Sequence, residues 1–317
     1  MSVIWNRPIF FENTIFDRIN DSMSNFTNNF NKVIPNLVDA KNLMCFSDYS
    51  GEEKEANYYT YSFLIINGDN ITEWDKNRTI LRKNILSDNR RISYKNYRDK
   101  LSQRYIDKYV KLSDSLPGYL LIFAFDKKKD SIFSGDTPIN IENPQFKNYR
   151  NWTKDTLEKT FRILHLLSFF VAGLSHESQN LIWITDNDKI VANKDRLIQL
   201  TDLFSFVLTS YLKHNLGHIR VGTTQSDDGS RLIEDLCAIP DLAAGAYSDQ
   251  LKTTKEIFGE VIDKVFWMSS PDFKTKTADL TWWLASSQKN LCRLCFKIDN
   301  NENGNSNIGF YHFYDRK

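Results

Sequence analysis

The sequence has few cysteines, few glycines and prolines, and no long hydrophobic run. Its 317 residues include four cysteines, 12 glycines and seven prolines. So few cysteines exclude a disulfide scaffold and are typical of a reducing compartment. No apolar run approaches the roughly 18 residues that a membrane span needs, and no basic region followed by an apolar core begins the chain. We therefore expect a cytoplasmic protein without a membrane partner.

The composition predicts a globular chain, because 41% of its residues are hydrophobic and 14% are aromatic. Cys292 and Cys295 have the spacing of a metal or redox pair, but no second pair accompanies them. We therefore interpret them as two thiols on a C-terminal helix.

Positive charge is concentrated in residues 76–111. This basic segment holds twelve Lys or Arg against three Asp, a net charge of +9, whereas the rest of the chain carries −8. Such asymmetry indicates a nucleic-acid partner, with cations on the phosphates and bases stacked on the interleaved tyrosines at 94, 97, 105 and 109. The alternative is a pair of solvated helices whose charges only keep the surface soluble.

Residues 1–40 predict an N-terminal helical appendage. Apolar residues recur at spacings of three and four, which is typical of a seam along one helix. The seam either docks onto its own domain or binds a partner protein or a second copy of the chain. Its members are Phe16, Ile19, Met23, Phe26, Phe30 and Val33.

Three apolar runs, at 43–48, 119–126 and 181–186, predict buried strands that end in Asp48, Asp126 and Asp186. If helical crossovers join these strands, their carboxyl ends meet at one edge of a sheet. Clustered carboxylates persist chiefly where a divalent cation neutralises them, and Mg²⁺ or Mn²⁺ suits oxygen ligands. For each aspartate alone, a strand-end turn explains the residue equally well.

The order of elements includes a predicted third strand at 90–95 and a late helix that bears acids. This order resembles the ribonuclease-H-like fold. More narrowly, the chain is similar to the bacterial domain-of-unknown-function family numbered three thousand eight hundred. The motifs that carry this resemblance are Asp48-Tyr49-Ser50-Gly51, Ile92-Ser93-Tyr94-Lys95, Ile184-Thr185-Asp186 and the run from Leu236 through Asp241 to Gly245.

The resemblance implies a metal-dependent nuclease site built from Asp48, Asp186 and Asp241. Its further implied residues are a supplementary ligand, Asp126 or Asp188, and a phosphate-positioning Lys95. The choice between Asp186 and Asp188 stays open, because either acid faces the site depending on where the strand ends.

Two residues depart from the family pattern. Tyr49 replaces a glutamate, and Pro240 replaces an alanine in the late helix. We expect Pro240 to begin a new helical segment with Asp241 in its first turn, where the helix dipole by itself favours an aspartate.

The sequence thus predicts an α/β protein with a ribonuclease-H-like mixed sheet flanked by helices. The predicted regions are a helical appendage at 1–40, the α/β domain at 41–250 and a helical region at 251–317 that ends in a short strand at 310–313. The predicted function is divalent-metal-dependent hydrolysis of nucleic-acid phosphodiester bonds, with bacterial defence or mobile-element biology suggested by analogy alone. The alternatives are a catalytically degraded module that binds nucleic acid or a protein partner, and a structural subunit of a larger complex.

Overall fold

The computed structural model describes most of the chain. The described residues are 5, 15–30, 34–129, 131, 148–149, 151–259, 273–286, 290–300 and 306–312. The strands within them are β1 (Asn42–Ser50), β2 (Tyr58–Asn67), β3 (Gly118–Asp126), β4 (Asn180–Thr185), β5 (Ile219–Thr223), β6 (Leu291–Asn300) and β7 (Ser306–His312). The α-helices are α1 (Ile15–Asn29), α2 (Thr72–Ile85), α3 (Lys100–Ser113), α4 (Lys154–Leu174), α5 (Lys194–Tyr211), α6 (Leu232–Phe258) and α7 (Thr275–Ala285).

The strands form one mixed sheet in the order β5-β4-β1-β2-β3-β6-β7. β1, β4 and β5 run parallel to one another, whereas β2 is antiparallel to both β1 and β3. The chain reverses after β1 at Gly51, whose φ of +84° is a conformation that glycine adopts without strain. The observed sheet confirms the predicted mixed α/β architecture and is consistent with a ribonuclease-H-like fold.

Helices cover both faces of the sheet. Side chains of α1, α4 and α5 share one hydrophobic core with the sheet, and side chains of α2, α3, α6 and α7 share another. We call these two sides the α4 face and the α6 face. β3 alternates between them, since Leu121 joins the core of the α4 face while Leu120 and Ile122 join that of the α6 face. The continuous apolar run of β3 therefore reflects burial on both faces.

The N-terminal seam packs against the chain itself. The rings of Phe16 and Phe169 lie 6.2 Å apart, and those of Phe26 and Phe310 lie 5.9 Å apart. These contacts place α1 in the core of the α4 face, beside α4 and β7. The docking alternative therefore accounts for the buried seam, while Val33 lies outside the described residues. No helix in the described ranges combines the length and apolarity that crossing a membrane requires.

The predicted third strand at 90–95 is wrong, because these residues form a loop with turns. Ionic contacts fix the start of the loop, where Arg90 donates to Asp88 at 2.7 Å and to Asp99 at 2.9 Å. Further along, the backbone N–H of Tyr94 donates to Oδ2 of Asp241 at 2.6 Å instead of to a neighbouring strand. The loop therefore lies against α6 and not in the sheet.

The prediction of a helical C-terminal region is wrong for residues 291–300, which form β6. The terminal strand predicted at 310–313 is confirmed for residues 310–312, which belong to β7, while residue 313 lies outside the described residues. β6 and β7 extend the sheet beyond β3. A short apolar run does not distinguish a buried strand from a helix by periodicity, which explains the error. Cys292 and Cys295 lie on opposite sides of β6, one in the core of each face, so the two thiols do not converge on a metal.

Candidate metal and nucleic-acid site

Two neighbouring parallel strands bring Asp48 and Asp186 together. In the register of β1 and β4, Ser47 lies opposite Thr185, so the next residue of each chain is an aspartate. The backbone N–H of Asp186 donates to the carbonyl oxygen of Ser47 at 3.2 Å, which extends the pairing by one step. The convergence of acids predicted at this edge of the sheet is therefore found for these two residues.

Helix α6 supplies the third acid, Asp241. α6 continues from Leu232 to Phe258 with Pro240 inside it, so the prediction that Pro240 begins a new segment is wrong. Asp241 lies about three turns from the start of the helix, where the dipole at the N-terminus no longer favours an acid. The helix also tolerates the loss of the backbone hydrogen bond that Pro240 cannot donate. Neither helix capping nor the dipole therefore explains this aspartate.

Burial and mutual repulsion dominate the electrostatics of the three acids. Asp48 is 8% exposed, and burial, followed by the charges of Asp241 and Asp186, raises the pKa of its carboxyl well above the usual range. Burial also raises the pKa of Asp241 to about 6, and the charge of Asp186 adds to the effect. Backbone N–H groups oppose these shifts, since Tyr49 donates to Oδ1 of Asp48 at 2.6 Å. The trio carries more negative charge than its surroundings neutralise.

Arg91 is a cation of this site that sequence reasoning missed, and Lys276 is a second cation whose charge opposes the raised pKa of Asp241. Nη2 of Arg91 donates to Oδ1 of Asp186 at 2.7 Å, and the hydroxyl of Thr224 donates to the same oxygen at 3.3 Å. The sequence signal for Arg91 was its position directly before the motif at 92–95. The role of Arg91 depends on the loop lying against α6, and a local pattern does not reveal that contact.

The residues of the trio fit a hard divalent cation in chemistry. Carboxylate oxygens are the ligands that Mg²⁺ and Mn²⁺ prefer, and one guanidinium leaves most of the charge of three carboxylates available. Within the described residues, however, no three His, Cys, Asp or Glu side chains stand in an arrangement ready to hold a metal ion. The donors are therefore appropriate, whereas their spacing is not that of a formed metal site.

The remaining predicted site residues lie apart from the trio. Asp126 lies two strands from Asp48. On the strand between them, β2, Asp126 is opposite Tyr58, whereas Asp48 is opposite a residue four positions further along. The two acids are therefore separated by well over 10 Å. Asp126 accepts from the backbone N–H of Lys128 at 3.0 Å, as a turn residue does. Asp188 pairs with Lys159, and Lys95 is exposed on the loop. Of the two alternatives, Asp186 is therefore the acid beside Asp48.

The side chain at position 49 points away from the acids. Tyr49 follows Asp48 on β1, so the two side chains lie on opposite faces of the sheet. The Tyr49 hydroxyl contacts the hydroxyls of Ser47 at 2.8 Å and Thr185 at 2.9 Å. The tyrosine in place of the family glutamate therefore removes no carboxylate from the face that carries Asp48.

The basic segment is only partly available to a ligand. Arg78 and Arg82 are buried and pair with Asp235 of α6, and Arg90 and Arg91 are bound to the acids named above. The other eight cations of the segment are exposed. They are Lys76, Lys83, Lys95, Arg98, Lys100, Arg104, Lys108 and Lys111.

The tyrosines of the basic segment do not form a stacking surface. Tyr97, Tyr105 and Tyr109 are buried in the core of the α6 face. The hydroxyl of Tyr94 donates to Asp249 at 2.9 Å. The interpretation that these rings stack bases is wrong, because their spacing reflects core packing. Only the exposed cations remain as groups that a polyanion would meet.

Glycine 245 allows the loop to approach α6 closely. A Cβ at Gly245 would lie 2.3 Å from Cγ of Tyr94, well inside normal contact. The absence of a side chain at this position therefore sets how near Tyr94 comes to the helix. The same close approach puts the backbone N–H of Tyr94 on Asp241.

Comparison with known proteins gives a distant structural match. The crystal structure of the ribonuclease H2 from Pyrococcus horikoshii OT3 matches 77% of this chain and 85% of its own, at 12% sequence identity and a TM-score of 0.35. No protein-family model matches the sequence, and no curated protein matches it. A match this distant carries no argument about fold or activity. The narrower resemblance to the family numbered three thousand eight hundred stays a prediction.

Proposed function

We propose that the protein is a divalent-metal-dependent nuclease that hydrolyses nucleic-acid phosphodiester bonds at Asp48, Asp186 and Asp241. Mg²⁺ or Mn²⁺ would be held by oxygens of these three carboxylates. When bound, the cation would activate a water molecule and stabilise the leaving oxygen. Asp126, Asp188 and Lys95 are left out of this core set, because Asp126 is two strands away, Asp188 pairs with Lys159, and Lys95 makes no contact with the three acids among the described residues.

A single observation carries the proposal: three acids from distant parts of the chain share one partly buried site with one guanidinium. Repulsion between like charges and burial both destabilise such a group. A site with this cost is typical of function, since perturbed carboxyl groups cluster where catalysis or metal binding needs them. A bound divalent cation would offset the cost directly.

The substrate would reach the site along the exposed cations of the basic segment. These side chains follow α2, the loop that carries Arg91, and α3, and Arg91 itself is at the acids. Lys and Arg side chains neutralise phosphates without reading sequence. We therefore propose that they hold a nucleic-acid strand, and that binding weakens steeply as salt concentration rises.

The second candidate function is a non-catalytic module that binds nucleic acid or a protein. A specific observation favours it, namely that Arg91 already neutralises Asp186. An arginine in that position takes the place of part of a metal's charge. In this case the acids would orient the basic loop, and cleavage would not occur.

The deciding experiment measures Mn²⁺ binding by calorimetry for the unmodified protein and for Asp48→Ala and Asp241→Ala. The same samples are assayed for cleavage of single-stranded RNA, single-stranded DNA and an RNA–DNA hybrid. We expect both binding and cleavage to fall by at least about 100-fold in the two variants. Asp126→Ala is the matched control, since it removes an acid from another strand end at the same edge of the sheet.

Two results would contradict the nuclease proposal. The first is an unmodified protein that binds no Mn²⁺. The second is equal loss of binding in Asp126→Ala, which would mean that the cation is attracted by general charge. Nucleic-acid binding that persists in Asp48→Ala without cleavage in any sample would favour the non-catalytic module.

The biological setting is proposed by analogy. The resemblance to a bacterial family suggests defence or mobile-element biology. All four cysteines are free and buried, which fits the proposed cytoplasmic location. Expression in bacteria challenged with phage, comparing the unmodified chain with Asp48→Ala, would test a role in defence.

A further inference from the structure

A second site of opposite charge lies on the α4 face. A cavity of about 720 Å³ opens between the ends of β1 and β2, the residues after β3, and the first turns of α4 and α5. This volume lies within the range of about 300–1,000 Å³ that is typical of small-molecule sites. The predicted function makes no use of the cavity.

The cavity has a large excess of positive charge. Seven Lys or Arg side chains line it against three Asp or Glu, a net of four positive charges. Three of these cations have no carboxylate partner among the described residues. Lys127 donates to the carbonyl oxygen of Glu53 at 2.6 Å, Arg196 donates to the carbonyls of Lys189 and Asn151 at 2.7 and 2.8 Å, and Lys154 makes no described contact.

Two helices add to this field. Thr153 and Asn193, the N-cap residues of α4 and α5, both line the cavity. The N-terminus of a helix carries a partial positive charge and N–H groups that suit anions. Two such ends beside seven cations favour a ligand with several negative charges.

Aromatic rings line the wall formed by the sheet. The ammonium of Lys127 lies 5.0 Å from the ring centre of Tyr59, and the guanidinium of Arg162 lies 5.6 Å from the same ring. Lys159 lies 4.8 Å from the ring centre of Tyr49. The cavity therefore combines cations for phosphate groups with flat apolar surfaces for a base.

We propose that this cavity binds the phosphate groups of a nucleotide, either free or at the 5′ end of a nucleic-acid strand. A di- or triphosphate carries roughly three to four negative charges, which match the excess of the lining. A single inorganic phosphate would leave most of the volume and charge unused. The inference does not depend on the nuclease proposal, because the cavity and the acid trio lie on opposite faces of β1.

The test is calorimetry with ATP and with two six-nucleotide DNA strands, one bearing a 5′ phosphate and one a 5′ hydroxyl. EDTA is present throughout, so that metal binding at the acids does not contribute. We expect saturable binding of ATP, of the 5′-phosphorylated strand, or of both, at one ligand per chain. Binding of ATP indicates a free nucleotide, and binding of the phosphorylated strand alone indicates a strand end.

Charge reversal locates the binding. In Lys127→Glu/Lys154→Glu we expect the affinity to fall at least about tenfold. Lys41→Glu/Arg220→Glu makes the same change on exposed residues just before β1 and on β5, outside both the cavity and the basic segment, and serves as the control. Because a change at Lys127 removes a contact within the fold, the single variant Lys154→Glu is tested as well, and it should weaken binding without any loss of stability.

Several outcomes would overturn the inference. The first is no binding of ATP or of the phosphorylated strand. The second is equal affinity for the phosphorylated and hydroxyl strands with no binding of ATP. The third is equal weakening in the Lys41→Glu/Arg220→Glu control. The Asp48→Asn variant separates the two proposals. If the nuclease proposal fails and this one holds, ATP or strand-end binding in Asp48→Asn stays unchanged while no sample cleaves nucleic acid.

Discussion

Adjacent residues of β1 face two sites of opposite electrostatic character. On the α6 face, Asp48 shares its surroundings with two other acids, and burial and repulsion raise its pKa. On the α4 face, acids are matched with lysines. Glu52 receives hydrogen bonds from Lys159 and Lys189, which overcome burial and lower its pKa to about 2. The same strand therefore carries, on one face, a group of acids with too few cationic partners and, on the other face, a cavity with an excess of cations.

The comparison separates structural acids from candidate functional ones. An acid that is paired contributes to stability, whereas an acid that repels its neighbours lowers it. Asp235 belongs to the first class although it lies on α6, since two buried arginines contact it. Asp241, two turns later on the same helix, belongs to the second. The pairing of an acid is thus a better guide to its role than its position on an element.

The largest expected effect is at the paired acid. Asp235→Ala leaves Arg82 buried without its carboxylate partner and Arg78 paired with Asp75 alone, and we expect the free energy of unfolding to fall by about 3–5 kcal/mol. Urea unfolding measures it. Glu73→Ala, an exposed acid of α2, is the control and should change stability by less than about 0.5 kcal/mol. A loss below 1 kcal/mol in Asp235→Ala would remove the distinction between the two classes.

The next effect is the dependence of stability on pH. The pKa of Asp241 is raised to about 6 in the folded protein, so the folded form binds more protons than the unfolded form. In EDTA, this one group should therefore lower stability by about 2 kcal/mol as pH rises from about 4 to about 6. Asp241→Asn should remove that contribution and leave the one from Asp48, whose pKa is also raised. Stability that rises with pH over this interval in both proteins would contradict the assignment.

A smaller gain is expected from neutralising an unpaired acid. Asp48→Asn removes one of three repelling charges, and at pH 7 without metal we expect the protein to be more stable by about 1 kcal/mol. Thermal unfolding measures the change. Asp126→Asn, at the end of β3, should produce no such gain. A destabilised Asp48→Asn would mean that Asp48 is held by partners of its own.

The smallest effect concerns the arginine between the two candidate functions. Arg91→Ala removes the positive charge that competes with a metal ion at Asp186. We expect Mn²⁺ to bind roughly fivefold more tightly, which corresponds to about 1 kcal/mol. Calorimetry measures this affinity, and Arg98→Ala on the same exposed loop is the control. Weaker binding of Mn²⁺ in Arg91→Ala would show that Arg91 orients Asp186 for the metal.

The sequence predicted the parts of this fold that local patterns determine. β1, β2, β3 and β4 are apolar runs bounded by turns. Asp48 and Asp186 stand where the apolar runs of β1 and β4 end, although β1 itself continues to Ser50. The loop at 90–95 was misread because its β-like composition is overridden by contacts with α6, more than 140 residues away in sequence. β6 was misread because the periodicity of hydrophobic residues in a short apolar run does not distinguish a buried strand from a buried helix.

The sites were predictable to different degrees. Asp48, Asp186 and Asp241 were proposed from strand ends and from a resemblance, and Asp126 was grouped with them because strand order in the sheet was unknown. Arg91 and the cavity were missed. The cations of the cavity come from the residues after β3, from α4 and α5, and from the segment between β4 and α5. The three consecutive lysines at 127–129 were the available signal, but the sequence does not show that α4 and α5 bring further cations beside them.

The close approach at Gly245 has a consequence for reading mutations in this chain. The residue has no side chain, carries no charge and contacts no proposed ligand, yet any larger residue would meet the ring of Tyr94. Displacing that ring would move the loop that holds both Tyr94 and Arg91. A genetic screen for loss of activity would therefore recover Gly245 together with the aspartates, and a survey of conserved chemistry would overlook it.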